Sequence, residues 1–264
     1  MKIGMSQGSV VASNNHEIKK FPTMGSIFPF ITDPSLFEST GSITLTDIPD
    51  LQLPIIPPKI VCLAKNYSAH ALEMGIHPAK LPPFPPLFLK PPSSVIGPSD
   101  RIIIPQQTQE VHHEVELAIV IGKGGKNISK EQALKHVFGY TILLDITARD
   151  IQSKAKEKGH PWFIAKGFDT FCPIGPMIVT PDEIPNPHSL SIRLKVNDEV
   201  RQDGNTRDML HKIDQIIEYC STILTLEPGD IIATGTPEGV AKFDRGDFLQ
   251  ASIEKIGTLT VGVD

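Results

Sequence analysis

Between His112 and Gly122 the chain reads His-His-Glu-Val-Glu-Leu-Ala-Ile-Val-Ile-Gly, and this stretch limits the possible folds more than any other. An apolar run rich in β-branched residues, closed by Gly122 and the pair Gly124-Gly125, predicts a buried strand. Side chains alternate along a strand, so Glu114 and Glu116 share a face with Cα atoms about 6.6 Å apart. Such a pair either converges on one cation or lies on the solvent face of a half-buried strand. Leu117 to Ile121 is apolar on both faces, which takes the strand inward. Like charges held near a core are costly unless something positive sits between them.

A third carboxylate follows. Phe138-Gly139-Tyr140-Thr141-Ile142-Leu143-Leu144 is a second strand-like run, and it ends in Asp145-Ile146-Thr147-Ala148-Arg149-Asp150. An aspartate at the end of a buried strand can complete a facial set of oxygen ligands, which suits Mg²⁺, Mn²⁺ or Ca²⁺ rather than zinc. The plainer role open to Asp145 is the N-cap of a helix in the polar stretch after it.

These residues resemble the fumarylacetoacetate hydrolase superfamily: Glu-x-Glu in an apolar strand, then Gly139-Tyr140-Thr141 and Asp145-x-Thr147-Ala148-Arg149-Asp150-x-Gln152. Further matches lie upstream in Lys65-Asn66-Tyr67 with His70 and Glu73, and in Phe88-Leu89-Lys90-Pro91-Pro92. Downstream they continue in Ala165-Lys166-Gly167-Phe168-Asp169, Pro173-Ile174-Gly175-Pro176, Glu227-Pro228-Gly229-Asp230 and Thr234 to Val240. The resemblance covers about residues 58 to 264 and rests on the number and order of the motifs. One departure is Ala64, where many relatives have glycine.

Composition sets the outer bounds. The 264 residues, 40% hydrophobic and 21% charged, suit a globular protein with ample length for a core. A net charge of −5 argues against nucleic acid as the main partner. No apolar run approaches the ~20 residues of a membrane span, and Met1 to Val11 has no apolar signal-peptide core. Cys62, Cys172 and Cys220 are few and widely spaced, which suits a reducing cytoplasm and offers no Cys-x-x-Cys metal knuckle.

Residues 1–57, rich in Ser, Gly, Thr and Pro, read as a small N-terminal appendage with extended pieces such as Ser42-Ile43-Thr44-Leu45; Pro54, Pro57 and Pro58 mark its boundary with the main domain, 58–264. Ile60 to Leu63 predicts a strand, and Asn66 to Gly75 a helix capped by Ser68 or Asn66. His70 and Glu73 sit three apart on one helical face, as a surface ion pair or as a carboxylate-oriented base. Eight prolines between Pro78 and Pro98 read as a polyproline ligand or as an irregular, buried, pinned segment. Ser129 to Val137 predicts a helix with Ala133, Leu134 and Val137 inward, and Lys154 to Gly159 a mobile stretch with solvated lysines. Lys166, between small and aromatic residues, is a structural lysine or a desolvated cation beside the site. Leu190 to Val196 predicts a strand turning at Asn197-Asp198. Asp208 to Leu226 predicts a helix with Leu210, Ile213, Ile216 and Ile217 apolar. Asp230 to Gly235 predicts a strand entering a glycine-rich turn whose N–H groups, with Thr236, can hold an anionic oxygen. Phe248 to Ile253 and Thr258 to Val263 predict two closing strands.

Strands outnumber helices without regular βαβ alternation, so the expected class is α+β. The resemblance implies a β-rich mixed sheet rolled into a sandwich, a small N-terminal domain and a homodimer. It further implies a Mg²⁺ site (Mn²⁺ or Ca²⁺ as alternatives) at Glu114, Glu116 and Asp145. His70, Glu73 and Lys166 would be catalytic, the first two on a segment that closes over the site; Arg149, Gln152, Gly235 and Thr236 would hold substrate. The implied activity is metal-dependent hydrolysis of a C–C bond in an acylpyruvate or related 1,3-dioxo acid. Alternatives on the same site are oxaloacetate decarboxylation, isomerisation of a dioxo acid and dehydration of a sugar acid. A non-enzymatic dimeric binding protein fits the retained carboxylates, His-Glu pair and lysine poorly.

Overall fold

The computed structural model describes residues 1–14, 17–21, 26–45 and 50–264. Strand Val115–Ile121 is buried at every position. It pairs antiparallel with Val137–Leu144 on one side and Ile231–Ala233 on the other. From there the sheet runs through Ile60–Leu63 to an edge at Leu87–Lys90, and in the other direction through Cys172–Val179 to Lys2–Ser6 and the N-terminal strands. Ile231–Ala233 is parallel to Ile60–Leu63 while its other neighbour is antiparallel, so the sheet is mixed.

A second, five-stranded sheet packs on the first, in the order Glu199–Asn205, Ser191–Val196, Phe248–Ile253, Gly257–Val263, Arg101–Ile102. Val115, Leu117, Ile119 and Ile121 join its Ile192, Leu194, Leu249, Ala251 and Val261 in one buried cluster. Ala118 and Val120 belong to another cluster with Ile3, Phe21, Phe30 and Ile31 from the N-terminal segment. The central strand is therefore covered on both sides, as its apolar run demands. Each fully buried Val, Leu or Ile contributes about 1.5–3 kcal/mol. A one-residue slip would drive Glu116 into the core between the sheets, so the register is strongly specified.

The chain 1–57 is joined to the main sheet by Lys2–Ser6, which pairs with Cys172–Val179. Asn197 and Asp198 adopt positive φ (49° and 68°) in the hairpin turn, matching the dipeptide expected there. The proline-rich stretch is built into the sheet edge through Leu87–Lys90 and flanked by 3₁₀ turns at Pro78–Lys80 and Pro92–Ser94. Two helical expectations change. Lys130–Ala133 passes into a 3₁₀ turn at Leu134–His136, and the tighter winding leaves Leu134 46% exposed rather than inward. The later helix spans only Ile213–Ile223, so Leu210 lies outside it and is exposed. Among the described residues no helix is long and apolar enough to cross a membrane.

Candidate active site

The two central strands end side by side. Glu116 stands opposite Leu143 and Val115 opposite Leu144; one step on, the Asp145 N–H donates to the Glu114 carbonyl at 2.8 Å. Glu114 and Glu116 therefore share a face with Asp145, two residues beyond Leu143 on its own strand. One carboxylate oxygen from each lies within 4.8 Å of the others, and all three residues are buried. Glu114 and Asp145 each lie one residue outside a strand, just before Val115 and just after Leu144, so the paired strand ends bring the carboxylates together.

Three cations surround them. Lys166, at the end of the short helix Phe163–Lys166, places Nζ 2.9 Å from Glu114 Oε2 and 2.5 Å from Asp145 Oδ2. Arg149 opens the helix Arg149–Glu157, donates to Glu114 Oε1, and donates to Gln152 Oε1 one turn away at 2.7 Å. Lys90 is buried and donates to the Ile146 and Lys166 carbonyls at 3.0 and 2.5 Å. Its Nζ is also 2.9 Å from Asp145 Oδ1. That approach is off-angle for a hydrogen bond, so the oxygen has no donor within the protein.

The electrostatics divide the carboxylates. Burial opposes ionisation of Glu114, but Lys166 and Arg149 hold its carboxyl well below the usual range. Glu116 goes the other way: burial, then repulsion from Asp145 and Glu114, pushes it well above. Relief comes from the Gly235 N–H, which donates to Oε2 at 2.7 Å, and from Lys166. Burial also works against the Lys166 ammonium, yet Asp145 and Glu114 raise its pKa overall. An anionic oxygen set with one buried, donor-free carboxylate oxygen fits a hard divalent cation.

His70 and Glu73 lie on the helix Ser68–Glu73. His70 Nδ1 is 3.0 Å from Glu73 Oε2, while Glu73 Oε1 accepts the Gly239 N–H at 3.1 Å. Neither expected cap is used: Tyr67 is the N-cap, and the Asn66 amide instead donates to Thr234 O at 2.8 Å and accepts the His211 N–H at 2.8 Å. Gly235 has φ +91°, and a Cβ there would meet Asn66 Cβ at 2.8 Å, so the turn accepts only glycine. Thr236 Oγ1 donates to Val115 O at 2.9 Å and accepts from Gln202 Nε2 at 2.8 Å.

One cleft is lined by the three carboxylates, His70, Arg149, Gln152, Lys166 and Thr236. Glu73 and Gly235 stand behind this wall, the first on His70 and the second on Glu116. The cleft also takes in Lys65, Met74, Phe88, Lys156 and Trp162. Lys156 is not a purely solvated lysine: it lies in the helix Arg149–Glu157 with Nζ 5.2 Å from the Trp162 ring centroid. His112 was also unforeseen. Burial and the neighbouring Arg149 push its pKa down, and its neutral Nδ1 accepts from Arg149 Nε at 3.2 Å while Nε2 donates to Glu110 Oε1 at 2.8 Å. The only signal of that support in the sequence was the alternation Glu110, His112, Glu114.

A mixed sheet that brings three buried carboxylates together in one cleft with His70 forms a site of the kind that can hold a divalent cation. Residues 59–264 match the family model for the fumarylacetoacetate (FAA) hydrolase C-terminal domain, and the chain belongs to that family. It is 45% identical over 211 residues to a mitochondrial oxaloacetate tautomerase of Xenopus laevis, covering 77% of this chain and 65% of that protein. Its fold is similar to fumarylpyruvate hydrolase of Pseudomonas aeruginosa in complex with Mn²⁺ and pyruvate: TM-score 0.76, 37% identity, 83% of this chain and 93% of that one. It is also similar to the fumarylacetoacetate hydrolase of Exiguobacterium antarcticum: TM-score 0.86, 36% identity, 100% of this chain and 99% of that one.

Proposed function

We propose that the protein is a divalent-metal-dependent hydrolase that cleaves a C–C bond in an acylpyruvate or related 1,3-dioxo acid, with Mg²⁺ as the working ion. The observation that carries this reading is His70, backed by Glu73, in the same cleft as the three convergent carboxylates. A cation held by Glu114, Glu116 and Asp145 supplies Lewis acidity, which stabilises negative charge on a 2-keto acid end lodged against it. Glu73 accepts the Nδ1 proton of His70, which leaves Nε2 as the base that takes a proton from water. Lys166 and Gln152 present donors to substrate oxygens, and the Arg149 fork suits a carboxylate. Gly235 serves this chemistry by fixing Glu116.

The tautomerase likeness favours a second reading on the same site. There His70 Nε2 takes a proton from the methylene between the ketone and the distal carboxylate of oxaloacetate, and a proton is delivered to the former ketone oxygen to give the enol. Exposed Leu89, Phe163 and Ile164 beside the sheet edge support a homodimer, and the three buried free cysteines a reducing, cytoplasmic setting. The test is a steady-state comparison of acetylpyruvate cleavage with oxaloacetate tautomerisation in the Mg²⁺- or Mn²⁺-loaded protein. Cleavage that is absent while tautomerisation is fast would move the assignment to the second reading.

A further inference from the structure

A buried amide from the second sheet joins the two halves of the site from behind. Gln202 lies on strand Glu199–Asn205, is fully buried, and stands outside the lining of the cleft. Its side chain uses all four of its hydrogen-bonding positions. Oε1 accepts from the Val115 N–H at 3.1 Å and from His113 Nδ1 at 3.1 Å. Nε2 donates to Thr236 Oγ1 at 2.8 Å and to the Pro237 carbonyl at 3.0 Å. Turning the amide over would set its NH₂ against the Val115 N–H, so its orientation is fixed and His113 carries its proton on Nδ1.

The partners of that amide belong to two different parts of the site. Val115 stands between Glu114 and Glu116, and its carbonyl accepts from Thr236 Oγ1 at 2.9 Å. Val115, Gln202 and Thr236 therefore close a ring of hydrogen bonds. The turn 235–239 meets a carboxylate at each end: the Gly235 N–H donates to Glu116 and the Gly239 N–H to Glu73, the partner of His70. Strand Glu199–Asn205 lies hard against this turn, since a Cβ on Gly204 would meet Pro237 Cβ at 2.7 Å. Taking the three carboxylates as the holders of a divalent cation, we infer that Gln202 is the positioning residue of this site. It sets the Glu114–Glu116 segment against the turn 235–239, and through Gly235 and Gly239 it keeps the metal ligands and the His70–Glu73 pair in one frame. Without the amide, the buried Val115 N–H and Pro237 carbonyl lose their partner, a cost that drives strand end and turn to shift apart.

The test reads metal affinity and amide exchange rather than turnover. Mn²⁺ is titrated calorimetrically into the parent, Gln202→Met and Gln202→Glu, below the melting temperature of each. Methionine keeps the length and loses all four bonds; glutamate keeps the acceptor for Val115 and loses both donors to the turn. Gln202→Met should bind Mn²⁺ about 10–100-fold more weakly, as the loss of an outer partner does, with Gln202→Glu between it and the parent. Adding Thr236→Val to Gln202→Met should cost less than the product of the two single losses, because both act through one ring. Amide exchange in Gln202→Met should quicken in 235–239 and also in 66–75, on a separate element. Leu249→Ala removes only apolar packing from the same sheet, so it should bind Mn²⁺ within about twofold of the parent and leave exchange in both segments unchanged. Where Gln202→Met does not fold, Gln202→Glu decides alone. Parent-like affinity in the glutamine variants, fully multiplicative losses, or an equal loss in Leu249→Ala overturns the inference while leaving the metal-site reading intact. A parent protein that binds no Mn²⁺ overturns both.

Discussion

Replacing Glu116 by glutamine separates the cost of the buried carboxyl from its use. Its pKa is raised by burial first and by Asp145 and Glu114 second, so without a cation it is held toward the protonated form. Glutamine is nearly isosteric with that form, and its amide oxygen can still accept the Gly235 N–H. The metal-free variant should melt at or slightly above the parent temperature. With metal at 100 times its dissociation constant, the parent gains about 2.7 kcal/mol. For a chain of this size that is roughly 5–10 °C in melting temperature. Losing even an outer partner of a metal site weakens binding by about 10–100-fold. A hundredfold loss would leave the variant at about its own dissociation constant, worth about 0.4 kcal/mol and a shift of about 1–2 °C. The sign with pH follows from the raised pKa. Stability from protonated Glu116 is full below the unfolded pKa of about 4.3 and is lost as pH rises through the folded value. Metal binding must expel that proton, so affinity rises with pH and proton release appears in titrations with buffers of different ionisation enthalpy. Differential scanning fluorimetry with Mn²⁺ is the assay. Equal metal shifts in parent and variant, or a metal-free variant several degrees less stable, would refute the reasoning.

Four other outcomes are expected. His70→Ala should slow acylpyruvate cleavage by about 10²–10⁴-fold at matched metal saturation, while any oxaloacetate decarboxylation, which needs no water activated, survives much better; steady-state kinetics on both substrates decides it. Amide exchange in 66–75 should slow when oxalate and Mn²⁺ are added, because His70 on that segment lines the cleft a ligand would fill; equal protection without ligand would count against closure. Lys90→Met should cost about 1–3 kcal/mol in urea denaturation, since it removes the donor to two buried carbonyls and leaves Asp145 to Lys166 alone; a loss below about 1 kcal/mol would mean water replaces the ammonium. Gly239→Ala should destabilise by at least about 1 kcal/mol, as its φ is +90° and a Cβ would meet the Arg201 carbonyl oxygen at 2.0 Å; an unchanged midpoint would show that the turn can shift.

What was legible in the sequence is what alternation and local spacing control. The period of two placed Glu114 and Glu116 on one face, while Asp145, at the end of the next apolar run, stood open as a third ligand or a helix cap until the pairing of the two strands put it beside them. The turn at Asn197-Asp198 and the pair His70 and Glu73 are local in the same sense. Helical stretches were less legible, because a change from 3.6 to 3.0 residues per turn, as at Leu134, leaves composition unaltered while rotating the side chain. The remaining site residues act on partners far along the chain. The Gly235 N–H reaches a glutamate 119 positions away, and Lys90 a carbonyl 76 positions away. Lys156 looked solvated because its neighbours in sequence are charged, whereas its neighbour in space is Trp162, beside the same cleft as Lys65. The alternating pattern by itself determined the strand and its carboxylate face. Which cations, N–H groups and aromatic walls meet that face was decided by sheet order and register, because those bring together residues between which no local periodicity runs.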